Sequence, residues 1–150
     1  STTPDMDLFA TVCAFDPEGK EMTFLAAPEP KAPVTQGWLR VSQRKLDPKR
    51  STEYLPYYPH DERQDLKPGE VVEVDLEIWP ISLSLPAGSR LTLTLQGKDF
   101  ERPGETGSMR GVAWFTHDDP ADRPPERFDG TLTLYTGGAR ESYLLMPVVS

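Results

Sequence analysis

The stretch that decides the fold reads Val71-Val72-Glu73-Val74-Asp75-Leu76-Glu77-Ile78, and a later run, Arg90-Leu91-Thr92-Leu93-Thr94-Leu95-Gln96, has the same pattern. In both runs apolar residues alternate with polar ones. Because successive side chains of a strand point to opposite faces, one face becomes aliphatic and the other acidic or threonine-rich. This alternation is typical of half-buried antiparallel strands. Pro86-Ala87-Gly88-Ser89 between the runs carries turn residues, so the stretch predicts one side of a β-sandwich.

Further strands are predicted at both ends of the chain. Residues 6–15 form an apolar run that ends at Asp16-Pro17-Glu18-Gly19, where proline second and glycine fourth are typical of a type I turn. We expect residues 20–24 to return as its hairpin partner. Near the C-terminus, residues 130–137 alternate as a strand does, and residues 141–149 are apolar on both faces, which indicates a central strand.

Length, charge and cysteine content exclude several classes of protein. The 150 residues fit one domain, 1–150, that is large enough to bury a core. The net charge of −8 argues against nucleic acid and anionic membrane as partners, since both attract a basic surface. No apolar run approaches the ~20 residues that cross a bilayer, and the polar start has no signal-peptide pattern. Cys13 is the only cysteine, interpreted as a small buried hydrophobe. A cytoplasmic location fits, although an exported protein without disulfides would look the same.

The chain shows little catalytic chemistry of its own. His60 and His117 are each followed by aspartate, but neighbours in an extended chain point apart, and His117-Asp118-Asp119-Pro120 is as plausible a turn. Zinc-type cysteine and histidine spacing, a Gly-x-Ser-x-Gly elbow and phosphate-binding glycine patterns are missing from the sequence. The acids of residues 73–77 form an exposed row. We therefore predict no metal, no cofactor and no complete active site in this chain.

Two segments stand out as candidate contact surfaces. Residues 38–50 are the only basic stretch, which fits a contact with an acidic neighbouring surface or a solvated loop with ordinary ion pairs. Residues 54–58 hold three tyrosines in five positions, Tyr54, Tyr57 and Tyr58. They fit either an edge that covers or docks on another domain or the lining of a ligand groove.

Motifs in a fixed order along nearly the whole chain resemble a known family. They are Asp5-Met6-Asp7-Leu8-Phe9, Phe15-Asp16-Pro17-Glu18-Gly19-Lys20, Gly37-Trp38-Leu39-Arg40-Val41-Ser42-Gln43-Arg44, Leu46-Asp47-Pro48, Glu77-Ile78-Trp79-Pro80, Leu85-Pro86-Ala87-Gly88-Ser89-Arg90-Leu91, Phe115-Thr116-His117-Asp118-Asp119-Pro120 and Ser142-Tyr143-Leu144-Leu145-Met146-Pro147-Val148. This order resembles the C-terminal domain of the CocE/NonD serine hydrolases, a group that includes X-Pro dipeptidyl-peptidases, cocaine esterase and α-amino acid ester hydrolases.

The resemblance implies a non-catalytic domain. In that family the domain is a jelly-roll β-sandwich with a galactose-binding-like fold, packed on an α/β-hydrolase domain that precedes it and holds the catalytic serine, aspartate and histidine. The candidate inter-domain interface is then Trp38, Arg40, Arg44, Tyr54, Tyr57 and Tyr58, and the candidate cleft-lining residues are Trp114 and His117. Ser1-Thr2-Thr3 resembles the end of a serine-rich turn, which implies a domain truncated at its N-terminal side. A sheet that lacks a strand would have an open edge for self-association.

Two other hypotheses remain at this point. The chain fits a free-standing module that binds carbohydrate or peptide through exposed aromatics, for which Trp38, Tyr57, Tyr58 and Trp114 are the candidates. It also fits a small enzyme in which His117 and Asp118 act as acid and base.

Overall fold

The computed structural model describes residues 1–26, 31–101, 117 and 119–148. The elements are β1 (Asp7–Phe15), β2 (Glu21–Met22), β3 (Thr35–Arg40), a 3₁₀ turn (Val41–Gln43), β4 (Arg90–Gln96) and α1 (Pro125–Phe128). The predicted all-β class is confirmed, since one helix of four residues accompanies the strands in the described ranges. No helix in the same ranges is long and apolar enough to cross a membrane.

β1 lies at the centre of an antiparallel sheet. Ala14 and Phe15 pair with Met22 and Glu21 of β2, as the predicted hairpin requires, and the amide of Gly19 donates to the carbonyl of Asp16 at 3.0 Å in the turn. β3 pairs with the first part of β1, on one edge of that strand. β4 pairs with β1 along the other edge. β3 was not expected as a strand, because its last residues begin the basic stretch 38–50, which was interpreted as a surface segment.

One face of β1 forms the core. Leu8, Val12 and Ala14 alternate along the strand and are at most 4% exposed. Two adjoining clusters of apolar side chains surround them. The side chains contributed by the segment 72–85 are Val72, Val74, Leu76, Ile78, Leu83 and Leu85. The predicted aliphatic face of residues 71–78 is thus confirmed, and Cys13 is buried on the opposite face as a small residue.

The prediction of a hydrogen-bonded strand over residues 71–78 is wrong, since the structure assigns no strand there. A Cβ on Gly37 would collide with the carbonyl oxygen of Glu77, so this segment crosses over the face of β3 instead of running along its edge. It reaches that edge only at Trp79, whose amide donates to the carbonyl of Gln36 at 3.0 Å. The hydroxyl of Thr35 donates to the carbonyl of Trp79 at 2.6 Å. The segment forms a second layer held by side chains.

The two C-terminal strands are also not formed in the described ranges. A single bridge joins Gly137 and Arg140 at the turn, and no ladder continues from it. Instead, the amide and carbonyl of Thr131 bond to Thr2. Tyr143 is 79% exposed, so the run expected to be a buried central strand lies at the surface. Apolar composition indicated burial here, but residues 141–148 are exposed and form no strand.

Candidate functional site

The face of the sheet opposite the core carries an aromatic surface, made of Phe9, Trp38, Trp79 and His117. Phe9 and Trp38 are paired across β1 and β3, which places their rings on the same face. The Trp38 ring lies 5.2 Å from that of Trp79 and 5.0 Å from that of His117, while His117 lies 5.5 Å from Phe9. The rings are tilted by 46–56°, which is a favourable arrangement for aromatic pairs.

His117 is held by Asp99, which follows the end of β4. The backbone amide of His117 donates to one carboxylate oxygen at 2.5 Å, and Nδ1 lies 3.0 Å from the other. The partner expected from the sequence was Asp118, which lies outside the described residues. Such a pair orients an imidazole as in an acid–base dyad. The described neighbours of the ring are Phe9 and Trp38, which carry no nucleophile, so the geometry indicates positioning of the ring.

A charged network adjoins the aromatic surface on the same face. Arg40, two residues beyond Trp38, donates to Asp7 at 3.1 Å. It also forms a bidentate salt bridge with Asp122, with distances of 2.8 and 2.9 Å. Arg123 contacts the same two carboxylates, at 2.5 and 2.9 Å. The hydrogen bond with Asp122 is the main cause of the raised pKa of Arg40, and the same bond lowers the pKa of Asp122. Both groups therefore stay charged at neutral pH.

Two further basic residues of segment 38–50, Arg44 and Lys45, have partners within the chain. The Arg44 guanidinium donates to the backbone carbonyls of Val41 and Gln64, at 3.1 and 2.6 Å. Lys45 lies 3.0 Å from Asp61 and 2.9 Å from Glu62. These contacts agree with ordinary ion pairs on a solvated segment, and Arg44 supports the loop rather than presenting a free charge.

The three tyrosines have different environments. Tyr54 is 75% exposed. The ring of Tyr57 lies under the Arg50 guanidinium, 3.5 Å from ring centroid to Cζ. Tyr58 donates its hydroxyl to the carbonyl of Asp75, and burial is the main cause that raises its pKa to about 12. Tyr58 therefore braces the segment over the core, and the three residues do not form one surface.

A polar pocket of about 290 Å³ opens beside the charged network. Its lining includes Asp5, Arg40, Ser42, Arg127 and Phe128. Asp5 is 1% exposed, and its carboxylate accepts bonds from the Ser42 amide and hydroxyl at 3.0 and 2.6 Å. Arg40 and Arg127 already bond to Asp122 and Asp65, while the buried Nε of Arg127 has no hydrogen-bond partner among the described residues. The pocket is therefore lined by a largely paired ion cluster.

The structure brings together only some of the predicted site residues. Trp38 and His117 lie side by side and Arg40 adjoins them, whereas Trp114 lies outside the described residues. Sequence reasoning missed the partners that complete the surface, which are Trp79, Asp99, Asp7, Asp122 and Arg123. Their separations along the chain reach 116 residues, for Arg123 and Asp7, and no local motif signals such contacts. In the part of the chain that the structure describes, no group of three His, Cys, Asp or Glu could hold a metal ion.

Comparisons with known proteins give one matching family and similar solved structures. The family described as the X-Pro dipeptidyl-peptidase C-terminal non-catalytic domain matches residues 1–145. Two crystal structures of a CocE/NonD family hydrolase from Staphylococcus aureus are also similar, at 32% and 31% identity with TM-scores of 0.63 and 0.58. In each case the matched region covers 68% of this chain and 19% of the hydrolase, so the chain spans about a fifth of that protein's length. No curated protein matches the chain.

Proposed function

This chain belongs to the X-Pro dipeptidyl-peptidase C-terminal non-catalytic domain family, and we propose that it is the accessory β-sandwich domain of a CocE/NonD-type serine hydrolase. In this role it packs on the α/β-hydrolase domain of the same polypeptide and supports that domain's cleft. The reaction of the whole protein is hydrolysis of an acyl ester or of an X-Pro peptide bond.

The observation that carries this proposal is the extent of the match. The chain corresponds to 19% of a hydrolase that is 32% identical to it over the aligned part. The matching family is described as non-catalytic, so the catalytic groups belong to the other four-fifths of such a protein.

The first test is the mass of the native polypeptide in its source cells, together with two activity assays. We expect a species several times longer than 150 residues that carries a Gly-x-Ser-x-Gly elbow and hydrolyses an aryl ester or an X-Pro amide. The 150-residue chain alone should show no turnover above background. Turnover by this chain that survives substitution of every serine would contradict the proposal.

A second candidate function is a free-standing carbohydrate-binding module, which the exposed Trp38 and Trp79 favour. Tryptophan rings stack on the apolar faces of ligands, and these two are 42% and 59% exposed. A native polypeptide of about this chain's length, together with a glycan array that gives hits lost in Trp79→Ala, would favour this function over the first. An array without hits would remove it.

A further inference from the structure

We infer that the aromatic surface of Phe9, Trp38, Trp79 and His117 is the face on which the hydrolase domain of the same polypeptide docks, with Trp79 as its anchor. This inference rests on the proposed function and specifies it, since family membership alone does not say which face of the sandwich meets the catalytic domain.

Exposure is the first argument for this surface. Trp79 and Trp38 are 59% and 42% exposed although their rings touch. The two tryptophan rings adjoin each other, and contiguous exposed apolar patches often mark interaction sites. Tryptophan is also among the residues that most often dominate the binding energy of an interface.

Preorganisation is the second argument. The Trp79 backbone is fixed to β3 by its bonds with Gln36 and Thr35. The His117 ring, which packs against Trp38, is fixed by its contacts with Asp99. A surface whose side chains are already ordered loses little conformational entropy when a partner binds. Tyr143 is more exposed, at 79%, but its segment belongs to no strand, so no ladder holds its backbone as Gln36 and Thr35 hold that of Trp79.

The aromatic surface and its charged neighbours are arranged like the apolar centre and polar rim of a protein–protein interface. Interfaces have an apolar centre with aromatic residues and a polar rim that keeps water out. Here Arg40 and Asp7 lie on the same face as Trp38 and Phe9, two residues further along the two strands. Their contacts with Asp122 and Arg123 hold this rim in place. The centre and the rim are therefore both formed before any partner arrives.

The length of the similar hydrolase and the net charge of this chain favour the hydrolase domain as the partner that binds the aromatic surface. The similar hydrolase has four-fifths of its length beyond the region matched here, and that remainder is the partner present in every copy. A second copy of this chain is less suited, because each carries a net charge of −8 and two acidic surfaces repel each other. Because the rim of the aromatic surface pairs two arginines with two aspartates, we expect the docking face of the hydrolase domain to present side chains of both charges around an apolar centre.

The test uses the intact native polypeptide with a photoreactive side chain, Trp79→benzoylphenylalanine. Matched positions are Tyr54 and Tyr143, which are exposed aromatic residues outside the surface. After irradiation, mass spectrometry identifies the linked peptides. We expect position 79 to link within one molecule to the hydrolase domain, with a yield about tenfold above that at positions 54 and 143, as a buried hot spot implies.

Three outcomes would overturn the inference: links from position 79 between two copies, links confined to residues 1–148, or an equal yield at position 54 or 143. A second readout is the rate at which a protease cleaves between the domains. Trp79→Ala should raise this rate roughly 30-fold, the size typical of a tryptophan hot spot, and Tyr54→Ala should leave it unchanged. If no longer polypeptide exists, the proposed function fails; if one exists and the links map elsewhere, only this inference fails.

Discussion

The two faces of β1 differ in what they pack against. The face of Leu8 and Val12 is aliphatic and is covered by the chain's own second layer. The face of Asp7 and Phe9 carries rings and paired charges, and Trp38 beside Phe9 is still 42% exposed. Alternation thus gives one strand two different faces: an aliphatic face covered by the second layer, and a face on which Asp7 and Phe9 are themselves buried while the neighbouring Trp38 stays exposed.

The largest expected effect comes from the core face itself. Leu8→Ala should lower the free energy of unfolding by about 3 kcal/mol, because it leaves a cavity at a side chain that is 4% exposed. Leu93→Ala lies on the same face of the sheet but at a side chain that is 40% exposed, so it should cost less than about 1 kcal/mol. Urea denaturation measures both. Equal costs would mean that the second layer also covers β4.

The contact between the two layers comes next in size. Gly37→Ala should cost about 1–3 kcal/mol, since the added methyl group has no space beside the Glu77 backbone. Gly97→Ala is the matched control, because the nearest atom to its Cβ would be the Asp7 carbonyl oxygen at 3.9 Å. Thermal unfolding compares the two variants. A neutral Gly37→Ala would show that the layers do not touch at this point.

A smaller effect is expected where Tyr58 braces the second layer. Tyr58→Phe removes the hydroxyl that donates to Asp75 and should cost about 1 kcal/mol at neutral pH. The pKa of Tyr58 is raised to about 12 from an ordinary value of 10.0. Its contribution is therefore present below pH 10 and is lost as the pH rises towards 12. Stability measured against pH should show this alkaline loss in the native chain and in the control Tyr54→Phe, and less of it in Tyr58→Phe.

The smallest effect belongs to the rim of the opposite face. The pKa of Asp122 is lowered from an ordinary 3.8, first by its hydrogen bond with Arg40. Its contribution is thus present above that pH and is lost as the pH falls through the lower folded value. Asp122→Asn should flatten the loss of stability on acidification to about pH 3, with only a small change at neutral pH because Asp122 is exposed. A slope equal to that of the native chain would show that this pair adds nothing measurable.

Sequence reasoning succeeded where the signal is local. The hairpin after β1 and the turn before β4 follow from proline and glycine at defined positions, and alternation placed Val72, Val74 and Leu76 on the core. It failed where backbone pairing depends on distant residues. The segment 71–78 has a strand's pattern, yet the crossing at Gly37 keeps it out of the sheet.

The candidate site shows the same limit. Trp38, Arg40 and His117 were identified from their chemistry and their place in the family motifs. Their partners were not, because Asp122 lies 82 residues from Arg40 and Asp99 lies 18 from His117. Only the fold brings these groups together, and it also separates the tyrosines that the sequence had grouped.

The bonds that hold the first residues have a mechanical consequence. Thr2 bonds to Thr131, the amide of Leu66 donates to the carbonyl of Pro4 at 2.7 Å, and Asp5 is buried against Ser42. β1 begins at Asp7, five residues after Thr2, and it has partner strands on both edges. A pull applied at residue 1 is therefore carried straight into the central strand as shear across two ladders. Because residues 2–6 are held by these bonds, they cannot act as a flexible linker. A rotation of this domain relative to a preceding one would need a hinge upstream of Thr2.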